Sequence, residues 1–276
     1  MMRVIAVTSG KGGVGKSSLS ANLAITLAAK NRRVVVFDAD LGLANLDVIL
    51  GVNPRFTLEQ VVSGERTIPE VLFDAPGGIR IIPGGSGVST LVQLSGPQLD
   101  RFLSELNTLA GETDYLIFDT GAGIDDSVMT FLQAADEVLL VVTPDPSSIT
   151  DAYATAKTLF SRQPAARVRV VMNAAESEEH ARLVFDRLSQ VAQQYLGKSM
   201  EFAGWVRHDP TVVRCARRRQ PFVLAEPQCG ASRDVGRIAE NLLGIGGEKR
   251  PEDSGTAPTL VDRLRALLGG KARKIA

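Results

Sequence analysis

Cysteine, histidine and aromatic residues are scarce in this chain. Of 276 residues, two are cysteine, two are histidine and one is tryptophan, and aromatic residues make up 5%. Cys215 and Cys229 have no CxxC or Cys/His partner in the sequence. That argues against a zinc ribbon, a redox dithiol or a disulfide framework and leaves reduced, structural thiols. His180 and His208 show no metal-ligand spacing. Charge of one sign is missing too: 31 Lys and Arg balance 31 Asp and Glu. No global field therefore draws the chain to nucleic acid or to an acidic surface. No apolar run approaches the ~20 residues of a membrane-spanning helix. From Met1 the chain passes into a strand-like run without the charged, apolar and small-residue zones of a secretory leader. The expectation is a soluble, cytoplasmic protein. Its hydrophobic fraction of 44% is enough for one large domain.

What is present is alternation. The runs "RVIAVTS", "RVVVFDAD", "IRIIPGG", "DYLIFDTG", "EVLLVVTP" and "RVRVVMN" are apolar almost throughout, as strands covered on both faces are. Between them lie helical patterns. Residues 17–30 set Leu19, Leu23 and Leu27 four apart, residues 147–161 open on a capping signal, and residues 179–196 carry apolar positions at helical spacing. Strand–helix alternation predicts an α/β fold, a doubly wound and mostly parallel sheet. Composition then shifts. Residues 1–243 read as one domain and the Gly-, Pro- and charge-rich 244–258 as a flexible linker. Residues 259–276 follow as a C-terminal amphipathic tail helix.

Gly10 to Ser17, within "SGKGGVGKSS", satisfies G-x-x-x-x-G-K-[ST] behind a strand and ahead of a helix. Glycines leave room for successive backbone amides to point at an anion, and the helix N-terminus adds its dipole. Lys16 is the β/γ-phosphate lysine and Ser17 the magnesium hydroxyl. Phosphoryl transfer also needs carboxylates. Asp38 and Asp40 end one strand and Asp119 another, at the edge the phosphate loop occupies. Ser17, Asp38, Asp40 and Asp119 are the expected metal-site residues, with Asp119 holding Mg²⁺ through water.

"KGGVGKSS" resembles the deviant Walker A motif of the MinD/ParA ATPases, P-loop NTPases of the SIMIBI type. The resemblance covers residues 2 to about 243 and implies ATP and Mg²⁺ as cofactors and an ATP-dependent homodimer. It implies that Lys11 crosses to the partner's phosphates, so that Lys11, Lys16 and Asp40 form the catalytic set, with Asp40 positioning water. Asn45 would order the first switch, residues 38–51, and residues 119–125 resemble the second. The nucleotide contacts implied are Gly10, Lys11, Gly12, Gly13, Val14, Gly15, Lys16, Ser17 and Ser18, the adenine-reading Asn173, and Arg207 and Asp209 in the base-closing segment. Arg207 and His208 depart from the family's usual proline and acidic residue. "LGLANLDVILG", "IIPGGSG", "DTGAGI" and "SSITDAYA" are most similar to the flagellar-number regulators (FlhG/FleN/YlxH type). A switch regulating flagellar number or placement is therefore the expectation. The implied protein partners are the GTPase FlhF, a flagellar transcription regulator or a basal-body component. A MinD-like division-site role or a ParA-like positioning role shares the same chemistry. A metabolic ligase-like enzyme on the scaffold would need its own substrate pocket.

In the tail, Leu260, Val261, Leu264, Leu267 and Leu268 form one helical stripe, flanked by Arg263 and Arg265 and followed by Lys271, Arg273 and Lys274. An apolar face with a basic border suits reversible docking on an anionic membrane at the inner face of the cell. Folding back onto the body is the other arrangement open to it. "ARRRQ" at 216–220 reads as a solvated helix face rather than a nucleic-acid patch, since no aromatic residue is interleaved. Asp151 begins a helix that resembles the partner-binding helix of MinD.

Overall fold

In the strands successive side chains point to opposite faces, and here both faces are apolar. Val4 and Ala6 join one buried cluster, and Ile5 and Val7 join the other. The same division separates Val35 and Phe37 from Val34 and Val36. Each strand is thus covered twice, as a parallel sheet with helices on both sides requires.

The structure is a computed structural model that describes residues 2–40, 46–85, 94, 96–244 and 258–275. Asn45 and the greater part of the expected linker, 245–257, lie outside the described residues, as do the side chains of Lys271, Arg273 and Lys274. The strands are β1 (Arg3–Ser9), β2 (Val34–Ala39), β3 (Phe73–Ala75), β4 (Ile79–Ile82), β5 (Tyr115–Ala122), β6 (Glu137–Val142), β7 (Val168–Ala175) and β8 (Glu201–Arg207). They form one eight-stranded sheet in the order β3-β4-β2-β5-β1-β6-β7-β8. All pairings are parallel except β3 with β4. The expected doubly wound α/β architecture is therefore present.

The helices are α1 (Lys16–Ala29), α2 (Leu46–Leu50), α3 (Leu58–Ser63), α4 (Ile68–Val71), α5 (Gly96–Asn107), α6 (Asp126–Ala134), α7 (Pro146–Arg162), α8 (Glu178–Leu196), α9 (Pro210–Arg217), α10 (Phe222–Ala225), α11 (Gly230–Leu243) and α12 (Leu260–Ile275). Leu19, Leu23 and Leu27 of α1 are buried as their spacing predicts. α7 and α8 start on side-chain caps, Asp145 and Ser177. The connection after β1 runs to α1 on one face, while β5 and β6 flank β1 on its two sides. That is the topological switch point, where ligands of open α/β sheets bind.

The tail takes the other arrangement open to it, folded back onto the body. α12 packs against α5 and α6. Leu260, Leu264 and Leu268 belong to the cluster that holds Leu99, Phe102, Leu103 and Leu106 of α5. Val261 and Leu267 are half-buried against it. Arg263 pairs with Asp136 at 2.7 Å and Arg265 with Asp100 at 3.2 Å. The stripe that suits a lipid surface is, in this state, covered by the body, because α5 offers it an apolar face of matching kind.

Candidate nucleotide site

Gly15 stands at the cap position before α1, with φ +89, and supplies no side-chain cap. The first amides of α1 are thereby left for another acceptor. A β-carbon on Gly15 would meet the positive-φ penalty and would also lie 2.5 Å from the Asn173 side-chain nitrogen. Asn173 donates that nitrogen to the Val14 carbonyl at 2.7 Å, which ties the end of β7 to the loop. Gly10 has a different reason. A β-carbon there would lie 2.2–2.5 Å from backbone atoms of Asp151 and Ala152, so α7 presses directly on the loop. Gly12 and Gly13 face open space. The result is an uncapped helix N-terminus behind an open glycine loop, with the polarity that phosphate oxygens require.

Lys16 is buried, and its ammonium donates to Asp119 Oδ1 and to the Ser17 hydroxyl, both at 3.1 Å. Asp40 Oδ2 stands 3.9 Å away. Ser20 also donates to Asp119, at 2.9 Å. Parallel register sets Asp38 of β2 directly beside Asp119 of β5, so three of the predicted metal-site residues, Ser17, Asp40 and Asp119, converge on Lys16. Asp38 has another occupation. Its two oxygens accept the backbone amides of Asp40 and Leu46, at 3.3 and 3.4 Å, anchoring both ends of the segment after β2. Burial first, then the neighbouring Asp119 charge, push its carboxyl up to about 7. Among the described residues no three His, Cys, Asp or Glu side chains form a closed metal cage. Magnesium does not require one, because it keeps waters and takes phosphate oxygens as ligands.

Lys11 is half-exposed and engages a different element from Lys16. Its ammonium donates to the Ser147 hydroxyl at 2.7 Å, with Asp145 Oδ1 at 3.7 Å. The Ser147 and Thr143 hydroxyls and the Ser148 amide hold the Asp145 carboxyl well below the usual range, and the nearby Lys11 charge adds to the effect. The two lysines of one loop thus serve separate places.

The remaining predicted residues gather in a second pocket. Gly15, Ser18, Asn173, Arg207, Asp209 and Phe222 are among its walls, an apolar slot with a few polar groups of the kind that takes a planar base. Asp209 caps α9 through the Thr211 amide at 2.9 Å and accepts the Ala231 amide at 3.3 Å. Arg207 is gripped by Asp234 of α11, a residue that belongs to no motif in the sequence. The signal was available: Ala231, Val235, Ile238 and Leu242 make an apolar stripe, and Asp234 is a carboxylate set within it. Asp145 and Ser147 carry no motif of their own in the sequence; the structure makes Asp145 the cap of α7 and Ser147 the acceptor of Lys11.

A strand, a glycine loop, an uncapped helix with its lysine, and two strand-end aspartates define a P-loop nucleotide site. A family model of the ParA group, described as NUBPL iron-transfer P-loop NTPase, matches residues 1–243. The Antiactivator FleN of Pseudomonas aeruginosa is 42% identical over 241 residues, spanning 87% of this chain and 86% of that protein. The flagellum site-determining protein YlxH of Helicobacter pylori is 38% identical over 243 residues, 87% of this chain and 82% of that protein. The MinC:MinD cell division protein complex of Aquifex aeolicus matches with a TM-score of 0.72 and 28% identity, covering 90% of this chain and 97% of that one. The chain belongs to the ParA/MinD family of P-loop ATPases.

Proposed function

We propose that this chain is an ATP-dependent dimerisation switch with slow ATPase activity that regulates flagellar number or placement. The observation that carries the reading is the division of labour between Lys16, buried beside the strand-end carboxylates, and Lys11, half-exposed on α7. A lysine that leaves its own cradle is free to complete a second one. The likeness to FleN and YlxH supports the flagellar assignment, and the likeness to MinD supports a division-site role as the second reading.

ATP and Mg²⁺ fit the cradle, and the bound metal would supply charge neutralisation at the β- and γ-phosphate oxygens. The chain's own groups do the remainder. Amides at the α1 N-terminus receive the phosphates and Lys16 exchanges Asp119 for them; Ser17 and Asp119 would hold the metal. Asp40 orients the attacking water, and Asn173, Arg207 and Asp209 bound the base. Lys11 exchanges Ser147 and Asp145 for the phosphates bound by a second copy. The tail would be released from α5 and α6 in the ATP-bound dimer, where two weak tails act together on an anionic membrane.

Flagellar counts in a deletion strain carrying wild-type or Asp40→Ala genes test the role. Wild type should restore the count and Asp40→Ala should not. A normal count in the uncomplemented deletion strain contradicts the flagellar reading and leaves the MinD-like one.

A further inference from the structure

The base-closing segment is stapled to α11 from both ends. Asp209 reaches down to the Ala231 amide, and Asp234 reaches up to Arg207. The second contact is the stronger one. Arg207 donates Nε to Asp234 Oδ2 at 2.7 Å and Nη2 to Oδ1 at 2.9 Å, and its backbone amide also donates to Oδ2 at 3.0 Å. Asp234 is 1% exposed and Arg207 about a third exposed, and the carboxylate also meets Arg237 Nη1 at 3.4 Å; a bidentate grip on so fixed a carboxylate takes from a guanidinium its freedom to swing. The guanidinium also lies over the Trp205 ring, 5.3 Å from its centroid. Gly230 completes the seat. A β-carbon there would stand 2.3 Å from Arg207 Cδ. Arg207 itself lines the base pocket.

We propose that Asp234 is a positioning residue for nucleotide selection: by fixing Arg207 as a rigid wall of the base pocket, it sets discrimination between purine bases without touching phosphate. The inference rests on reading that pocket as the base site. A fixed polar wall rejects the wrong base because mismatched groups are left unpaired, whereas a mobile one adapts to either. Phosphate binding, carried by the loop around Lys16, is insulated from the change.

The test measures Mg²⁺-dependent binding of ATP, GTP and inorganic tripolyphosphate by calorimetry. Asp234→Asn should shrink the ATP/GTP affinity ratio about tenfold while tripolyphosphate affinity stays within about twofold. Turnover should follow as a raised KM for ATP with kcat kept. Gly230→Ala, which displaces Arg207 while leaving the Asp234 charge in place, should reproduce the loss and serves if Asp234→Asn does not fold. A parallel fall for all three ligands, or an unchanged ratio in Gly230→Ala, overturns the proposal. Asn173→Ala separates the two levels. If it spares base discrimination, or if wild type binds ATP and GTP alike, the pocket reading itself fails. If it abolishes discrimination while Asp234→Asn does not, only the role of Asp234 fails.

Discussion

Docking of α12 is the structural feature most open to measurement. Leu264 is 1% exposed on a helix whose other side faces solvent. Replacing a buried leucine by alanine removes transfer free energy and leaves a partly filled gap, about 2–3 kcal/mol at a site where the helix can settle. If α12 opens as its own unit, that loss appears as faster exchange of its amides, by about 27- to 140-fold at 1.4 kcal/mol per decade. The Arg263–Asp136 pair, 2.7 Å long but at the surface, is worth up to about 1 kcal/mol, so Arg263→Ala should raise exchange by about fivefold at most. Hydrogen exchange by mass spectrometry on the nucleotide-free protein reads both. The core strands should be unaffected in either variant. Equal effects from the two variants, or a larger one from Arg263→Ala, would refute apolar docking as what holds the tail.

Two further outcomes follow from buried charge. Because Asp38 in the folded, metal-free protein titrates at about 7 rather than near 3.8, the folded state binds the extra proton between these values. Stability should therefore fall as pH rises from about 4 to 7, by on the order of 4 kcal/mol. Asp38→Asn should flatten that slope in urea melts across pH, and a slope unchanged by the substitution would contradict it. At the opposite end of the sheet Glu137 is 1% exposed and pairs with Arg3 and Arg169. Glu137→Ala removes the carboxylate that Arg3 pairs with and one of the two that Arg169 faces, Glu201 remaining at 3.5 Å, and should cost about 3 kcal/mol in denaturant unfolding, with nucleotide affinity retained by whatever remains folded.

The central strands were legible because burial on both faces leaves a plain signature: β1, β2, β5, β6 and β7 are nearly all apolar. β8 was not, since Glu201–Arg207 is an edge strand interrupted by Gly204, whose φ of +140 lets Ile238 of α11 approach. β3 is three residues long and antiparallel, too short to carry a period. α5 carried Leu99, Phe102, Leu103 and Leu106 at helical spacing, a readable pattern whose consequence for the tail was not: two apolar stripes reveal two faces but not that they meet. In the site, the loop motif fixed Gly10 to Ser17 because its chemistry is local. The register that pairs Asp38 with Asp119, and the 27-residue reach from Arg207 to Asp234, are products of tertiary structure and have no local spacing to betray them.

Under the proposed function, ATP is read by two copies of the chain through Lys11. Light scattering with Mg²⁺ and a non-hydrolysable ATP analogue tests it on wild type, Lys11→Ala and Lys16→Ala. Wild type should double its mass on binding, Lys11→Ala should bind the analogue and remain a monomer, and Lys16→Ala should not bind. A Lys11→Ala protein that dimerises as wild type does, or a wild type that stays monomeric with analogue bound, contradicts the account.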